Sequence, residues 1–348
     1  MSVEPPDDVA PSGVASEVGE FLYDVPPGCP ADSIVLTFPV AREHSGQRLD
    51  RFIQGRIPRL SRTRANEIVR SCAFRADGTR RRPSDRVRFG ETVLLVRPRF
   101  VEPPAPSVFG IIYEDADVFV VDKPPLLAVH PTATYHRHTL SWLLRARYGD
   151  DAPRIAHRLD RETSGVLVCA RTLEAERALK GSFERREVKK TYLAIVRGEL
   201  AQDRGRIELP LAPAQSGLHL LMEVRDAGDS SRAETEWQVR DRRAGHTLVL
   251  LRPHTGRQHQ LRVHLAAIGH PIVGDKLYGP EREAPFLEMI ETGMTDSLLA
   301  RLGHDRQALH AHELEIEHPS RREAASFCAP LAPDLVGLWN GLGTRHGP

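Results

Sequence analysis

The sequence predicts an α+β fold in which a mixed, mainly antiparallel sheet is flanked by helices. Two observations support this prediction: several strand-length apolar runs alternate in polarity, and few strand–helix–strand units are evident. The clearest strand-like runs are 118–121, 165–170, 191–196 and 247–251, and helical spacing is found at 140–147 and 173–185. The length of 348 residues predicts roughly two domains.

Composition places the chain among folded proteins without membrane helices. Apolar residues make up 40% and charged residues 27% of the chain, and no apolar run approaches the roughly 20 residues of a membrane helix. The first 30 residues hold six acids and no lysine or arginine, unlike a signal peptide. The four cysteines are widely separated: Cys29, Cys72, Cys169 and Cys328. We therefore expect no disulfide, no zinc ribbon and a cytoplasmic location.

Charge is distributed unevenly along the chain, although the net charge is only +1. Residues 1–32 are rich in proline, glycine and acids, which predicts a flexible acidic tail. Residues 41–100 carry sixteen arginines and six acids, a net charge of +10. We expect a basic module at 33–100 that binds a polyanion, with an arginine-biased solvated surface as the alternative. A proline-rich linker at 101–108 then leads to a second domain at 109–345.

The basic module has a clear order of predicted elements. A strand at 34–40 opens it. The first helix has one apolar face, formed by Leu49, Phe52 and Ile53. Ser61 is placed to cap a second helix at 62–70, and short strands ending in 92–96 complete the module.

Two stretches of this module, Gly46–Phe52 and Leu60–Arg64, resemble the αL-type RNA-binding module of several RNA-modifying enzymes. The resemblance implies that the arginines in these stretches contact RNA, namely Arg48, Arg51, Arg62 and Arg64. The turn that usually follows, Gly-x-Val-x-Val-Asn-Gly, corresponds here to Ser71–Gly78. In that turn the first glycine is missing and Asp77 replaces asparagine.

Asp160 is the leading candidate for chemistry in the second domain. It lies in the string His-Arg-Leu-Asp-Arg-Glu-Thr-Ser-Gly, with Arg158 and Arg161 close by, just before an apolar strand. Nearby positive charge lowers the pKa of a carboxyl group, and an ionised, positioned carboxylate can act as a nucleophile or base. From the residues alone, a plain ion pair is the more frequent explanation.

The nine-residue string resembles the signature of the RluA-type family of RNA pseudouridine synthases, and the resemblance implies that Asp160 is the catalytic residue. Arg158 corresponds to a family arginine that enters the space left by a flipped base. The remaining motif positions are expected to support the site: His157, Arg161, Thr163, Gly165, Arg257 and His259.

Three further segments resemble the same family. Asp122–Pro131 matches its opening motif, with Leu126 where glycine is usual, and here we expect Lys123 to reach an RNA phosphate. Tyr192, in Lys-Thr-Tyr-Leu-Ala, corresponds to the active-site tyrosine, and Arg262 corresponds to the arginine that pairs with the catalytic aspartate. The match continues through 269–279 and resumes at Leu309-His310-Ala311.

The resemblance implies isomerisation of specific uridines in RNA to pseudouridine, with base flipping. Asp160 would attack C1′ or C6, or remove the 2′ proton, while Arg262 orients it and Tyr192 stacks on the uracil and assists the final removal of the C5 proton. Substrate and product are isomers, so no cofactor is expected. We expect ribosomal RNA as the substrate, with transfer RNA as the alternative, and a monomer without an obligate protein partner.

Two other functions compete with this interpretation. One is a non-catalytic RNA-binding or ribosome-assembly protein on a synthase scaffold. The other is a hydrolase that uses Asp160 with histidines or a metal. The candidate ligands are His254, His259 and His264, or His310 and His312. Their spacing does not place two ligands on one helical face, so no metal site is expected. Helices are predicted at 286–290 and 297–302, within a segment, 281–308, to which we assign no function.

Overall fold

A computed structural model describes residues 25–30, 33–57, 60–98, 101–132, 134–218, 220–228 and 231–343. Residues 1–24 and 31–32 of the predicted tail lie outside the described residues. The described chain forms two compact units, and the chain passes from the first to the second between Pro103 and Pro104. Residues 132–136 also belong to the first unit, although they follow this boundary in the chain.

The first unit is a three-stranded antiparallel sheet with two helices. The sheet has the order β1 (Ile34–Pro39), β3 (Thr92–Arg97), β2 (Ala73–Phe74). The helices are α1 (Leu49–Arg56) and α2 (Arg62–Cys72), and the three predicted core residues of α1 are fully buried. The Ser61 hydroxyl accepts a hydrogen bond from the Arg64 N–H at 3.1 Å, which confirms the predicted N-cap.

The turn at 71–78, which departs from the usual module sequence, is built by Asp77 and Gly78. The Asp77 carboxylate accepts hydrogen bonds from both the N–H and the hydroxyl of Thr79, at 2.9 and 2.7 Å. Gly78 has φ +83°, and a Cβ there would lie 2.1 Å from the carbonyl oxygen of Pro27. The aspartate therefore closes the turn as asparagine would, and only glycine fits at its last position.

The second unit is built on a ten-stranded sheet. Its main path runs β4 (Gly110–Glu114), β5 (Val118–Lys123), β7 (Ser164–Ala170), β14 (Leu309–Glu317), β8 (Lys189–Arg197), β13 (His246–Pro253), β12 (Thr235–Arg243), β9 (Arg204–Ile207). Two strands lie off this path: β6 (Arg154–Ile155) pairs with β7, and β15 (Ala324–Cys328) pairs with β14. A separate hairpin pairs β10 (Leu211–Pro213) with β11 (Met222–Val224). Within the described residues, β7 and β14 form the one parallel pair of this mainly antiparallel sheet.

Six helices complete this unit as described: α3 (Leu140–Tyr148), α4 (Leu173–Glu184), α5 (Gln260–Ala267), α6 (Ala284–Thr292), α7 (Asp296–Leu302) and α8 (Pro333–Gly341). Helices α3, α4, α5 and α8 contribute buried side chains to the apolar clusters on the sheet, so the predicted α+β class is confirmed. None of the described helices is long and apolar enough to cross a membrane.

The contact between β7 and β14 requires a glycine. Gly165 faces Ala311 in the parallel register and has φ +107°. A Cβ on Gly165 would lie 2.1 Å from the Ala311 carbonyl oxygen. This close approach fixes the loop that precedes β7, in which Asp160 lies, against the start of β14.

A loop that contains Thr255 and Gly256 separates β13 from α5, which begins at Gln260. The residue before it, His259, has a left-handed backbone with φ 53° and ψ 17°, so a regular helix cannot extend through it. The Thr255 hydroxyl instead donates to the Gln260 side-chain oxygen at 2.7 Å and so braces the loop against the helix.

Candidate active site

Asp160 lies in the loop between β6 and β7, and its side chain is 30% exposed. The Thr163 N–H donates to the Asp160 carbonyl at 3.1 Å, which closes a tight turn around the residue. Leu159 is buried beneath the turn. The carboxylate is therefore held on a short, anchored loop, with one side open to solvent.

Arg262, on the buried face of α5, connects Asp160 to a second carboxylate. Its Nη1 donates to Asp160 Oδ2 at 3.0 Å. Its Nε and Nη2 donate to the two oxygens of Asp275 at 2.7 and 2.9 Å. A planar guanidinium can serve both carboxylates at once, whereas a lysine ammonium lacks this fork geometry. The predicted partner of Asp160 thus has the position that the sequence comparison implied.

Asp275 is itself held by the backbone. Its side chain is 1% exposed, and Oδ1 also accepts from the N–H groups of Leu277 and Tyr278 at 2.9 and 3.1 Å. Burial opposes ionisation, but Arg262 and these N–H groups outweigh it and lower the pKa of Asp275. The chain from Asp275 through Arg262 to Asp160 is therefore a fixed ionic arrangement, and the sequence pattern did not predict a role for Asp275.

The electrostatics keep Asp160 ionised at neutral pH. Burial raises the pKa of Asp160, but the charge that His259 carries when it is protonated, the charge of Arg262, and hydrogen bonds from Gln307 and Arg262 lower it to about 2. An opposite charge within hydrogen-bond distance stabilises the carboxylate form. Asp160 is thus available as a nucleophile or base without prior loss of a proton.

Gln307 is a second partner of Asp160 that the sequence did not reveal. Its Nε2 donates to Thr163 Oγ1 at 2.8 Å and to Asp160 Oδ2 at 3.3 Å. Its backbone N–H donates to Glu162 Oε2 at 3.0 Å. The predicted helices α6 and α7 are present, and the loop after α7 thus brings Gln307 to the catalytic candidate.

Two buried cations, Arg306 and Lys276, bind the loop that carries Asp160 to neighbouring segments. Arg306 donates through Nη1 to the Glu162 carbonyl at 2.9 Å and through Nε to Asp334 Oδ2 at 2.6 Å. Lys276 donates to Glu162 Oε1 at 2.9 Å and to the Asp305 carbonyl at 2.7 Å. The segment 281–308, to which we had assigned no function, therefore ends in contacts that position the Asp160 loop.

His259 completes the surroundings of the carboxylate. Its Nε2 lies 3.9 Å from Asp160 Oδ2, and its Nδ1 lies 2.7 Å from the Tyr278 hydroxyl. Burial and the charge of Arg262 lower the pKa of His259 to about 4, so the ring is neutral at pH 7.

Tyr192 lies on β8, where it packs against buried residues of two core clusters. Burial and the negative charge of Asp160 raise the pKa of Tyr192. The raised pKa keeps the proton on the phenol at neutral pH.

Arg158 and His157 precede Asp160 and differ in environment. Arg158 is exposed and has no ion pair among the described residues. His157 Nε2 accepts a hydrogen bond from the Val168 N–H at 3.0 Å, and its ring stacks on Phe183. Burial lowers the pKa of His157 to about 3. His157 therefore anchors the loop as a neutral ring, while Arg158 is accessible from solvent.

Comparison with known proteins identifies the protein family that has this arrangement. The family described as RNA pseudouridylate synthase matches residues 117–267. Ribosomal large subunit pseudouridine synthase D of Xanthomonas campestris is 39% identical over 321 residues, which cover 90% of this chain and 94% of that protein. The protein of the same name from Xylella fastidiosa is 40% identical over 308 residues, 86% of this chain and 89% of that one.

The chain belongs to the RNA pseudouridine synthase family. A solved structure, human RNA pseudouridylate synthase domain containing 4, is 28% identical with a TM-score of 0.52, and the match covers 67% of this chain and 92% of that one. The family, the fold class and the enzyme class predicted from the sequence are thereby confirmed.

One predicted site residue of this synthase is contradicted by the structure. Lys123 was expected to reach an RNA phosphate, but it is fully buried. Its three N–H bonds are directed at the carbonyl oxygens of Pro124, Leu127 and Arg161, at 2.9, 2.9 and 3.2 Å. Burial and the charge of Arg306 lower the pKa of Lys123 to about 7. Lys123 instead ties the 124–127 turn to the loop that carries Asp160.

The same turn contains Leu126, at the position where the family usually has glycine. Leu126 has φ 64°, the left-handed conformation that glycine adopts without strain. The turn therefore keeps a backbone conformation suited to glycine, and the leucine side chain bears a conformational cost of about 1–2 kcal/mol.

The four arginines predicted to bind RNA in the first unit fall into two classes. Arg51 and Arg62 are exposed and have no ion pair among the described residues. Arg48 is bound to both oxygens of Asp50, at 3.0 and 2.7 Å, and Arg64 pairs with Glu67 at 3.0 Å.

The histidines considered as metal ligands have separate partners. His254 lies 3.3 Å from Glu236, whereas His264 is bonded to Thr235 Oγ1 and the Leu209 carbonyl. Among the described residues, the three groups with metal-binding spacing do not include Asp160. Arg257 Nε donates to the Arg232 carbonyl at 3.2 Å.

Proposed function

We propose that this protein isomerises uridines to pseudouridine in large-subunit ribosomal RNA, with Asp160 as the attacking carboxylate. The observation that supports this most directly is the arrangement in which Arg262 holds Asp160 ionised and anchors it to the buried Asp275. The substrate class follows the names of the relatives, which are ribosomal large subunit pseudouridine synthases.

In the proposed reaction the C1′–N1 bond breaks, the uracil rotates, and a C1′–C5 bond forms before C5 loses its proton. Asp160 acts at C1′ or C6, or at the 2′ proton. Arg262 and Gln307 both donate to Oδ2, which leaves Oδ1 as the oxygen with more freedom to react. Tyr192 stacks on the uracil. Its raised pKa disfavours a phenolate base, so Tyr192 donates a hydrogen bond from a neutral phenol.

Arg158 is proposed to fill the space that the flipped base leaves in the RNA. It is exposed two residues before Asp160, and its charge acts on His259 beside the carboxylate. A planar guanidinium can stack on bases and bond phosphates at the same time. Flipping costs a few kcal/mol, which such contacts offset.

The test of the catalytic role is Asp160→Asn, with Asp160→Ala as the second variant. We expect RNA binding within about threefold of wild type and no detectable pseudouridine, because the isosteric amide cannot act as a nucleophile. Pseudouridine formation by a folded Asp160→Ala protein would contradict the role of Asp160. A wild-type protein that binds RNA without isomerising it would support the non-catalytic alternative.

Residues 33–100 are proposed as the module that delivers RNA to a catalytic domain at 109–345. The four unpaired cysteines are consistent with a cytoplasmic location for this activity. In the full chain, Arg51→Gln with Arg62→Gln should weaken RNA binding and reduce the salt slope by about one per lost phosphate contact. Arg322→Gln, which removes an exposed arginine of the second unit paired with Glu317, is the control. An unchanged salt slope in the double variant would contradict the proposal.

A further inference from the structure

His259 has an unusual backbone for its residue type. Its φ of 53° is left-handed, a region that non-glycine residues enter at a cost of about 1–2 kcal/mol. Such strain persists where surrounding contacts hold it in place, and it is concentrated at functional sites. Here it directs the ring between Tyr278 and Asp160 instead of along α5.

The hydrogen bonds of Tyr278 determine which ring nitrogen of His259 carries the proton. The Met222 N–H donates to the Tyr278 oxygen at 2.9 Å, and this hydroxyl lies 2.7 Å from His259 Nδ1. If Nδ1 carried the proton, the Tyr278 hydrogen would lose this acceptor and the Nε2 lone pair would face the Asp160 carboxylate. The favoured arrangement therefore has the Tyr278 hydroxyl donating to Nδ1 and the proton on Nε2.

The Nε2–H group has no acceptor among the described residues. Asp160 Oδ2, at 3.9 Å, is beyond hydrogen-bond distance, and that oxygen already accepts from Arg262 and Gln307. The His259 side chain is 10% exposed, and its Nε2 lies beside a carboxylate whose side chain is 30% exposed. Gln307 is not an equivalent donor, because its amide nitrogen is shared between Thr163 and Asp160.

We propose that His259 Nε2–H donates a hydrogen bond to a carbonyl oxygen of the uracil bound at Asp160 and so selects uracil over cytosine. The inference rests on the proposed function. Uracil fits this donor because it carries two carbonyl oxygens placed symmetrically about the axis through C6 and N3. Rotation of the detached ring about that axis exchanges O2 with O4, so one fixed donor is satisfied before and after rotation.

Cytosine breaks that symmetry, because an amino group replaces O4. In one of the two orientations, a fixed Nε2–H would face this amino donor and both hydrogens would lack an acceptor. A site built around a buried hydrogen-bond donor rejects a ligand that leaves the donor unpaired. His259 would thus discriminate by the chemistry of the base, whereas Asp160 acts on the bond that breaks.

Two variants separate the donor from the structural role of the ring. His259→Asn places an amide near the Nδ1 position, tolerates a left-handed backbone, and loses the donor at the Nε2 position. His259→Gln extends the amide to that position. Each variant, like the wild type, is assayed on RNA carrying uridine, 2-thiouridine or 4-thiouridine at the target, because sulfur is a poor hydrogen-bond acceptor. A substrate with 2′-deoxyuridine tests the ribose hydroxyl as the alternative acceptor.

For wild type we expect kcat/KM on each thio substrate to be about tenfold lower than on uridine. For His259→Asn we expect kcat/KM on uridine to be about tenfold lower than that of wild type, with little further decrease on the thio substrates. His259→Gln should recover part of the uridine rate and the thio penalty. Equal thio penalties in wild type and His259→Asn overturn the inference, as does a 2′-deoxy penalty that disappears in His259→Asn. If His259→Asn does not fold, His259→Gly, which also lacks the donor and adopts a left-handed backbone without strain, is judged by the same comparison. A wild type that forms no pseudouridine refutes the proposed function itself.

Discussion

Asp275→Asn is the substitution that best tests whether the ionic arrangement behind Asp160 contributes to catalysis. Asp275 is buried and binds Arg262 through both oxygens, so it acts on Asp160 only through that arginine. Asparagine has nearly the same shape and keeps one oxygen for the N–H groups of Leu277 and Tyr278. Its amide nitrogen, however, would face the Nε–H of Arg262, two donors at a distance that is now 2.7 Å.

The expected losses of stability and of rate follow from the contacts that Arg262 loses and keeps in Asp275→Asn. Removing one partner of a buried ion pair costs about 3–5 kcal/mol of stability when the other charge is left alone. Arg262 still has Asp160, so we expect a smaller loss, about 2–3 kcal/mol. With two of its three anchoring bonds weakened, the guanidinium can shift, and a displacement of about 1 Å at a reacting group lowers the rate about 100-fold.

The assay is kcat at saturating RNA, measured on protein shown to be folded. We expect kcat to fall about 100-fold with KM changed less than about threefold, because Asp275 does not contact RNA. The matched control is Asp50→Asn, which removes a bidentate partner of Arg48 in the first unit, where Asp50 is equally buried. That variant should lose stability and keep kcat. A folded Asp275→Asn enzyme with kcat within about threefold of wild type would refute the positioning role.

Two further predictions concern stability. Gly165→Ala should destabilise the protein by more than about 3 kcal/mol in urea denaturation, because its Cβ would meet the Ala311 carbonyl at 2.1 Å. Gly337→Ala, in an open part of α8, should instead stabilise it by about 0.5–1 kcal/mol, and equal effects would contradict the clash. Burial lowers the pKa values of His157, His259 and His310 to about 3, 4 and 4. Because unfolded histidine titrates near pH 6.5, the unfolded chain binds more protons between about pH 6.5 and 4, and stability should fall as the pH drops through that window. A urea midpoint that is constant across this range would contradict these shifts.

The site residues that could be identified from the sequence are those that lie in distinctive short motifs. Asp160 and Arg262 lie in distinctive segments, and the structure joins them at 3.0 Å across 102 positions. The strands at 118–121, 165–170 and 191–196 were also predictable, because buried strands are continuous apolar runs. In these cases local composition and tertiary environment agree.

Lys123 was misassigned for a physical reason. A lysine beside two prolines is most often exposed, and full burial of its ammonium is rare. It is tolerated here because three backbone carbonyls accept its three N–H bonds. Backbone carbonyls are present at every position, so no sequence pattern marks the places where three of them converge.

Gln307 and Asp275 were missed for a different reason. Gln307 is 147 positions from Asp160 and follows a segment with no assigned function, while Asp275 lay in a recognised motif without a stated role. Their contribution depends on which loops the sheet brings together, and the parallel pairing of β7 with β14 is what places residues 306 and 307 beside the loop of Asp160.

The same pairing explains why one loop can be both accessible and rigid. In the proposed reaction Asp160 must remain open on one side to receive a nucleotide, so it cannot gain rigidity from burial alone. Its loop is instead held in place by Arg262, Gln307 and Arg306, which are themselves buried. Loops positioned by a rigid scaffold are where reactive groups are held with accuracy. The segment 281–308 therefore belongs to the framework that positions Asp160, and we expect that shortening it lowers kcat before it weakens RNA binding.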